Sequence, residues 1–121
     1  LCWRTVIIMK HERQRFVPRL DFLTTPGYLS GPGARERAGL PEGTGPHRVV
    51  TDLALFDFHP KTKRMRLLAL NPGISASDVA SAAGFPFPSA PRLRRNPPPT
   101  SAELRTLREQ VDPEKIFLKE N

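Results

Sequence analysis

The stretch RVVTDLALFDF at Arg48–Phe58 is the strongest structural feature of the sequence. Both of its alternating sets of side chains are largely apolar, which predicts one strand that is covered on both faces of a sheet. The polar segment HPKTK at His59–Lys63 follows, and a second apolar run, RMRLLAL, occupies Arg64–Leu70. Two such runs around a short polar segment predict a β-hairpin with a five-residue loop.

Upstream of this hairpin, the sequence predicts two further strands and one long loop. Thr5–Met9 is a continuous apolar run typical of a buried parallel strand, and Leu20–Thr24 is a shorter candidate. The segment Thr25–Pro46 is rich in glycine and proline, and a loop of this length in a compact domain is either disordered or functional. Within it, Ala34–Ala38 has the composition of one helical turn, which Gly39 ends.

Downstream of the hairpin, capping residues predict two helices. Ser75 is placed as the N-cap of a helix over Ala76–Ala83, with Asp78 at its third position and Gly84 as its end. After the proline-rich, extended stretch Phe85–Pro99, a capping box follows.

The capping box Thr100-Ser-Ala-Glu103 starts a second helix over Ser101–Gln110. Asp112 ends this helix, because the proline after it disfavours the helical conformation. The last apolar residues, Ile116–Leu118, are predicted to dock on the body of the domain.

The composition sets the range of possible functions. The chain has 121 residues, the size of one domain, and carries 19 lysines and arginines against 12 acidic residues, a net charge of +7. Such a balance is typical of a protein that binds nucleic acid or another polyanion, of a solvated basic surface, or of a surface that meets an acidic partner subunit. Only Arg92–Arg95 forms a basic cluster, and no aromatic residues alternate with it to stack on bases, which argues against nucleic acid.

Several features bear on the compartment of the protein. The single cysteine, Cys2, cannot form an internal disulfide, and this favours a reducing compartment. No apolar run approaches the roughly 20 residues that span a bilayer, and Val6–Met9 is too short for a signal peptide. We therefore expect a cytoplasmic protein with no membrane association. The chain opens at Leu1 almost directly into a core strand, which suggests a piece of a longer chain or a misassigned start.

Side-chain spacing alone does not identify a reaction. The three histidines have neither the spacing nor the cysteine partners of a metal site, so no metal is predicted; they are His11, His47 and His59. Asp52 and Asp57 lie five residues apart on the predicted strand and therefore face opposite sides, which prevents them from sharing a proton. Asp52 is better explained as a carboxylate bound by backbone amides or by an arginine.

Four segments, in order, resemble the β-type subunits of family I CoA-transferases. They are FVPRLDFLTTPGY at Phe16–Tyr28, RVVTDLALFDF at Arg48–Phe58, PGIS at Pro72–Ser75 with the residues up to Phe85, and PPT at Pro98–Thr100 with Glu103-Leu104 and Asp112-Pro113. The resemblance implies an α/β fold: the C-terminal half of an open, mainly parallel CoA-transferase-type sheet with a β-hairpin and flanking helices. Residues 1–121 would then be the C-terminal portion of a β-type subunit domain, with its N-terminal half absent.

The resemblance also implies a reaction and its partners. Family members move CoA from an acyl-CoA to a carboxylic acid, such as glutaconate or a related dicarboxylate, through a covalent intermediate on a glutamate. The acyl-CoA thioester is a substrate, and no cofactor is held permanently. An α-type subunit completes a hetero-oligomer. The family's catalytic glutamate lies upstream of the region that this chain matches, so no residue here is assigned a catalytic role.

The resemblance implies one site, near the substrate or CoA. It consists of Thr24, Thr25, Pro26, Gly27 and Tyr28, where the predicted strand meets the long loop. Ligands of open α/β sheets bind beyond the carboxyl ends of strands, which agrees with this position. The alternative is a rigid loop beneath a subunit interface. Two other functions stay open: a related ring-opening hydrolase of a cyclic CoA thioester in steroid catabolism, and a basic, non-enzymatic binding protein.

Overall fold

Five strands form one open sheet in the computed structural model, which describes residues 3–118. The strands lie side by side in chain order as β1 (Arg4–Met9), β2 (Gly45–Thr51), β3 (Ala54–Phe58), β4 (Met65–Leu70) and β5 (Ser89–Arg95). β1 is parallel to β2 and β4 is parallel to β5, whereas β3 is antiparallel to both of its neighbours. Only β3 therefore opposes the common direction, and the predicted α/β fold with an open, mainly parallel sheet is confirmed.

The helices are short. They are α1 (Ala34–Arg37), α2 (Ala76–Ser81) and α3 (Ser101–Thr106), and a π-helical turn at Leu107–Val111 extends α3. Within residues 3–118, none of them is long and apolar enough to cross a membrane. The predictions for Leu1 and Cys2 lie outside the described residues.

The predicted helix caps are confirmed. Ser75 and Asp78 form a reciprocal capping box on α2, in which the Ser75 hydroxyl accepts from the Asp78 N–H at 3.2 Å and the Asp78 carboxylate accepts from the Ser75 N–H at 2.9 Å. Thr100 and Glu103 form the same arrangement on α3. Gly39 follows α1 with a φ of 86°, the left-handed conformation in which glycine has no steric penalty.

The stretch Arg48–Phe58 contains a chain reversal, so its prediction as one strand is wrong. It forms the end of β2 and all of β3, which pair antiparallel across a turn at Asp52-Leu53. The Thr51 hydroxyl accepts hydrogen bonds from the N–H groups of Leu53 at 3.2 Å and Ala54 at 3.0 Å. A threonine hydroxyl that binds the backbone two residues on makes a turn. The apolar pattern continues on both sides of the turn and therefore does not reveal it.

The predicted hairpin between β3 and β4 is confirmed. The His59 N–H donates to the Arg64 carbonyl at 2.8 Å, and the Lys63 N–H donates to the His59 carbonyl at 2.8 Å. On the paired strands, Asp57 lies opposite Arg66 and accepts two hydrogen bonds from its guanidinium, at 2.8 and 3.0 Å. This two-bond ion pair raises the pKa of Arg66 and fixes the register of the hairpin.

The core lies between the sheet and the α2 region. Its buried members are Phe16, Val49, Ala54, Phe56, Leu67, Leu70, Val79 and Ala83. Phe16 comes from the segment before the long loop, and its carbonyl accepts the N–H of Gly84 at 2.7 Å. This bond draws the segment after α2 against the chain that precedes the loop.

β1 is parallel, as predicted, but it is not buried within the described residues. Val6 and Ile8 are exposed, Ile8 to 81%. β1 pairs with β2 on one side. Among residues 3–118, its side chains from Val6 to Ile8 are exposed, whereas Met9 at its end packs against the core. The prediction of a buried strand is wrong here because a continuous apolar run indicates that a strand can be covered on both faces, not that a cover is present.

The prediction of a strand at Leu20–Thr24 is also wrong, and one strand was not predicted. Leu20–Thr24 forms no strand and its apolar side chains are exposed, because strand propensity is realised only where a neighbouring strand is available. The extended stretch Phe85–Pro99 contains the unpredicted β5, which carries the Arg92–Arg95 cluster at the end of the described sheet. Pro91 fits within β5 because this strand pairs on one side and its register is irregular there.

The last apolar residues are exposed, so the prediction that Ile116–Leu118 dock on the body is wrong. Phe117 is exposed to 84%. The segment is held by its backbone instead: the buried Asp112 carboxylate accepts the N–H groups of Ile116 at 2.8 Å, Phe117 at 3.0 Å and Leu118 at 2.8 Å. Burial alone would raise the pKa of Asp112, but these three hydrogen bonds outweigh it and lower the pKa below its usual 3.8.

We expect acid to release this C-terminal segment. A lowered pKa in the folded state means that the carboxylate stabilises the segment fully above pH 3.8 and loses this contribution as the pH falls through its lower folded value. Hydrogen exchange of the amides of residues 116–118 should therefore accelerate at low pH, beyond the intrinsic pH dependence of exchange. Asp112→Asn should give fast exchange at neutral pH, whereas Glu114→Gln should not. Slow exchange in Asp112→Asn would contradict this role.

Candidate functional site

A cavity of about 540 Å³ lies where the long loop meets the first residues of β1 and β2. Its walls include Thr25, Pro26 and Gly27 of the loop, Arg35 of α1, and Gly45-Pro46 at the start of β2. Most of this lining is apolar or backbone, and the two threonines Thr5 and Thr25 add hydroxyl groups. Such a composition is typical of small-molecule sites.

The cavity does not lie where the strand-end argument placed it. β2 begins at Gly45, so the loop packs at the amino end of β2 rather than beyond the carboxyl end of a strand. Because Leu20–Thr24 is not a strand, the loop does not follow a strand end at all. Three of the predicted site residues nevertheless line one cavity, through the fold of the loop itself.

The structure separates the five predicted site residues into three groups. Thr25, Pro26 and Gly27 line the cavity. Thr24 is exposed beside it. Tyr28 points toward the sheet: its hydroxyl donates to the Pro46 carbonyl at 2.6 Å and its ring meets Phe58 edge-on at 5.2 Å. Tyr28 therefore anchors the loop.

Arg35 is the buried cation of this region and was not among the predicted site residues. It is only 7% exposed. Its Nη1 donates to the carbonyls of Pro26 at 2.8 Å and Gly27 at 2.9 Å, and its Nη2 donates to the Thr44 hydroxyl at 3.1 Å. In the sequence it is one of several scattered basic residues. Its position in a single helical turn inside a Gly/Pro loop is the feature that distinguishes it.

Two further arginines lie on the first two strands, outside the cavity lining. Arg4 is the first residue of β1, and Arg48 is in the middle of β2, where its guanidinium donates to the His47 carbonyl at 2.8 Å. Partial desolvation, with the nearby charges of Arg48 and Arg4, lowers the pKa of His47 below its usual value.

The other residues considered for chemistry have structural roles. The Asp52 carboxylate accepts the backbone N–H of His11 at 2.6 Å, which confirms the prediction that backbone amides satisfy it. Asp52 lies in the turn and Asp57 in β3, so placing both on one strand was wrong. His11 is buried, and its ring nitrogens bind the Val79 carbonyl at 2.9 Å and the Thr51 hydroxyl at 3.2 Å.

An open α/β sheet with a loop-walled cavity has the architecture of a domain that binds small molecules. Residues 2–82 match the family model of the coenzyme A transferases. The chain is 41% identical over 114 residues to the B-type subunit of glutaconate CoA-transferase from Acidaminococcus fermentans, a match that covers 94% of this chain and 42% of the relative. The chain therefore belongs to the coenzyme A transferase family, as its four motifs predict.

Structure comparison agrees with this assignment. The crystal structure of glutaconate coenzyme A-transferase from Acidaminococcus fermentans matches with a TM-score of 0.89 at 40% identity, over 98% of this chain and 45% of that chain. The B-type subunit of 3-oxoadipate CoA-transferase from Pseudomonas knackmussii is 31% identical over 103 residues, covering 85% of this chain and 39% of the relative. The chain thus spans about two fifths of the length of these curated relatives.

A hydrolase subunit is also similar. The cholesterol ring-cleaving hydrolase IpdB subunit of Rhodococcus jostii is 37% identical over 70 residues, covering 58% of this chain and 28% of the relative. The two transferase subunits match a larger part of this chain than this hydrolase subunit does.

Proposed function

We propose that this chain is the C-terminal part of a CoA-transferase β-type subunit, which transfers CoA between an acyl-CoA and a carboxylic acid such as glutaconate or a related dicarboxylate. The observation that carries the proposal is the 41% identity to the B-type subunit of glutaconate CoA-transferase across 94% of the chain. The protein acts within a cytoplasmic hetero-oligomer with an α-type partner. CoA enters as a thioester substrate, and no cofactor stays bound.

The loop Thr24–Tyr28 is proposed to lie beside the acyl-CoA. Thr25, Pro26 and Gly27 line the cavity, and Tyr28 fixes the end of the loop against β2. The net charge of +7 suits a ligand that carries phosphates, as coenzyme A does. The chain contributes the shape and charge of a binding surface, while a carboxylate elsewhere in the enzyme attacks the thioester carbonyl and displaces the CoA thiolate.

Transfer is favoured over ring-opening hydrolysis. Two transferase subunits match 94% and 85% of this chain, whereas the hydrolase subunit matches 58%.

A hybrid enzyme tests the proposal. In this hybrid transferase, the chain replaces the aligned part of the B-type subunit in Acidaminococcus glutaconate CoA-transferase and is produced with the partner subunit. We expect CoA transfer from acetyl-CoA to glutaconate or another dicarboxylate in a panel, because the grafted fold and loop match those they replace. The control is the same enzyme with the aligned part deleted, which should be inactive. A hybrid that assembles at native size but transfers CoA to no acid would contradict the proposal, and opening of a cyclic CoA thioester would support the hydrolase.

A further inference from the structure

The hydrogen bonds of Arg35 give this residue a role in the proposed function, and the inference rests on that function. We infer that Arg35 is a positioning residue: it fixes the backbone of Pro26 and Gly27 and thereby sets the shape of the wall that faces the acyl-CoA. Arg35 is not assigned a contact with substrate. Its effect is transmitted through the two carbonyl groups that it holds.

The place of Arg35 in the chain supports this role. α1 is a single turn of four residues inside the long loop, and a helix this short has little stability of its own. Arg35 is nevertheless buried, and its guanidinium contacts residues on both sides of α1. The hydrogen bonds of the Arg35 side chain, rather than the stability of α1, therefore hold the loop in its conformation.

The hydrogen-bond acceptors of Arg35 connect the two ends of the loop. One nitrogen, Nη1, holds the carbonyls of both Pro26 and Gly27, and the other, Nη2, holds the Thr44 hydroxyl. Thr44 in turn donates to the Pro41 carbonyl at 2.6 Å. A planar guanidinium offers these donors in fixed directions, which the ammonium group of lysine does not reproduce. The bonds tie the cavity loop to the residue that precedes β2.

Arg35 has no acidic partner within the part of the chain that the structure describes. Among residues 3–118, no carboxylate lies within salt-bridge distance of Arg35, and its buried Nε has no acceptor. In protein interiors a charged side chain is ordinarily paired with an opposite charge, and polar groups are ordinarily hydrogen-bonded. Arg35 instead directs its bonds to two carbonyls of the cavity loop, which is the arrangement of a side chain that holds backbone in place.

Gly45 makes room for this arrangement. A Cβ at Gly45 would lie 3.1 Å from both the Arg35 Nε and the Tyr28 ring, closer than side-chain atoms ordinarily approach. The backbone of β2 can therefore pass between the Tyr28 ring and the Arg35 side chain. The fit places Arg35, Tyr28 and the start of β2 in one packed unit at the cavity wall.

Substitution in the hybrid transferase tests the inference. We expect Arg35→Lys to lower kcat/KM for the acyl-CoA by about 100-fold, chiefly through kcat, because a misplacement of about 1 Å near the reacting groups has an effect of this size. Arg37→Lys is the matched control: it lies on the same helical turn, is exposed, and makes one long contact of 3.5 Å with the Pro32 carbonyl. It should leave kcat/KM within two-fold of the parent.

Hydrogen exchange separates positioning from general destabilisation. In Arg35→Lys, exchange should accelerate about ten-fold or more in residues 24–31 and stay unchanged in the β3–β4 hairpin. Thr44→Val removes one acceptor and keeps the two loop carbonyls, so it should give the same pattern with a smaller loss of kcat/KM. Equal acceleration in the loop and the hairpin would overturn the inference, as would Arg35→Lys kinetics equal to those of Arg37→Lys. Failure of the proposed function gives a different result from failure of this inference. If the proposed function is wrong, the parent hybrid transfers no CoA, but hydrogen exchange still shows whether Arg35 holds the loop.

Discussion

Replacement of Gly84 by alanine is expected to destabilise the chain by about 3 kcal/mol, the upper range for overpacking. A Cβ at Gly84 would collide with the carbonyl oxygen of Phe16 and would also crowd the Pro18 ring. The same carbonyl accepts the Gly84 N–H at 2.7 Å, so the backbone cannot move away without losing that bond. Phe16 belongs to the core, and its displacement would reach Phe56, whose ring centroid lies 6.0 Å away. The midpoint of urea unfolding measures the effect.

Gly39→Ala provides the matched control for Gly84→Ala. Gly39 has a φ of 86° but open space around its Cα, so alanine there incurs conformational strain of about 1 kcal/mol without a collision. Gly84 shows no such left-handed φ, so its substitution isolates the steric effect. Equal losses in the two variants would show that close approach to Phe16 is not what requires glycine at position 84.

His11→Phe is expected to lower stability by about 2 kcal/mol, the cost of leaving buried acceptors unsatisfied. The Nε2 of His11 donates to the Val79 carbonyl at 2.9 Å, and Nδ1 lies 3.2 Å from the Thr51 hydroxyl. These bonds join the segment after β1 to the β2–β3 turn and to α2. Phenylalanine keeps an aromatic ring against Phe16 and Phe56, so the variant removes hydrogen bonds while retaining most of the packing.

Two further variants sharpen the His11 result. His47→Phe, at a partly exposed position in β2, should change the unfolding midpoint little. Thr51→Val should destabilise, and its combination with His11→Phe should cost less than the sum of the two, because they share one hydrogen bond. A fully additive double variant would indicate that the two residues act independently. In the hybrid transferase, His11→Phe should leave KM unchanged, since His11 has no part in the cavity wall.

Local features of the sequence predict local structure well. The capping boxes at Ser75 and Thr100 involve residues three positions apart, so the residue types alone specify the hydrogen bonds. The β3–β4 hairpin is also a local unit and was predicted with its loop in place. Four ordered motifs were sufficient to indicate the family, which the comparisons confirm.

Where two structures produce the same sequence pattern, the sequence did not predict which of them forms. The turn at Asp52-Leu53 interrupts an apolar alternation that reads the same for one long strand as for two short ones. β5 contains a proline and three arginines, which favour an irregular segment until β4 supplies a partner. Thr5–Met9 has the composition of a buried strand. Whether the strand is buried depends on other elements that pack over it, which its own residues do not specify.

The candidate site, too, was only partly predictable from the sequence. The resemblance to a known family selected the loop Thr24–Tyr28, and three of its residues line the cavity. Arg35 was missed, because nothing in its neighbours shows that its side chain turns back nine residues to the carbonyl of Pro26. The caps and the hairpin could be predicted from the sequence because they depend on residue types at short spacing, and the family could be predicted from four ordered motifs. The reversal within Arg48–Phe58 became visible only in the folded chain, because the apolar pattern continues across the turn. The burial of His11 and the hold of Arg35 on the loop also required the fold, since each depends on distant groups that the fold brings within hydrogen-bond distance.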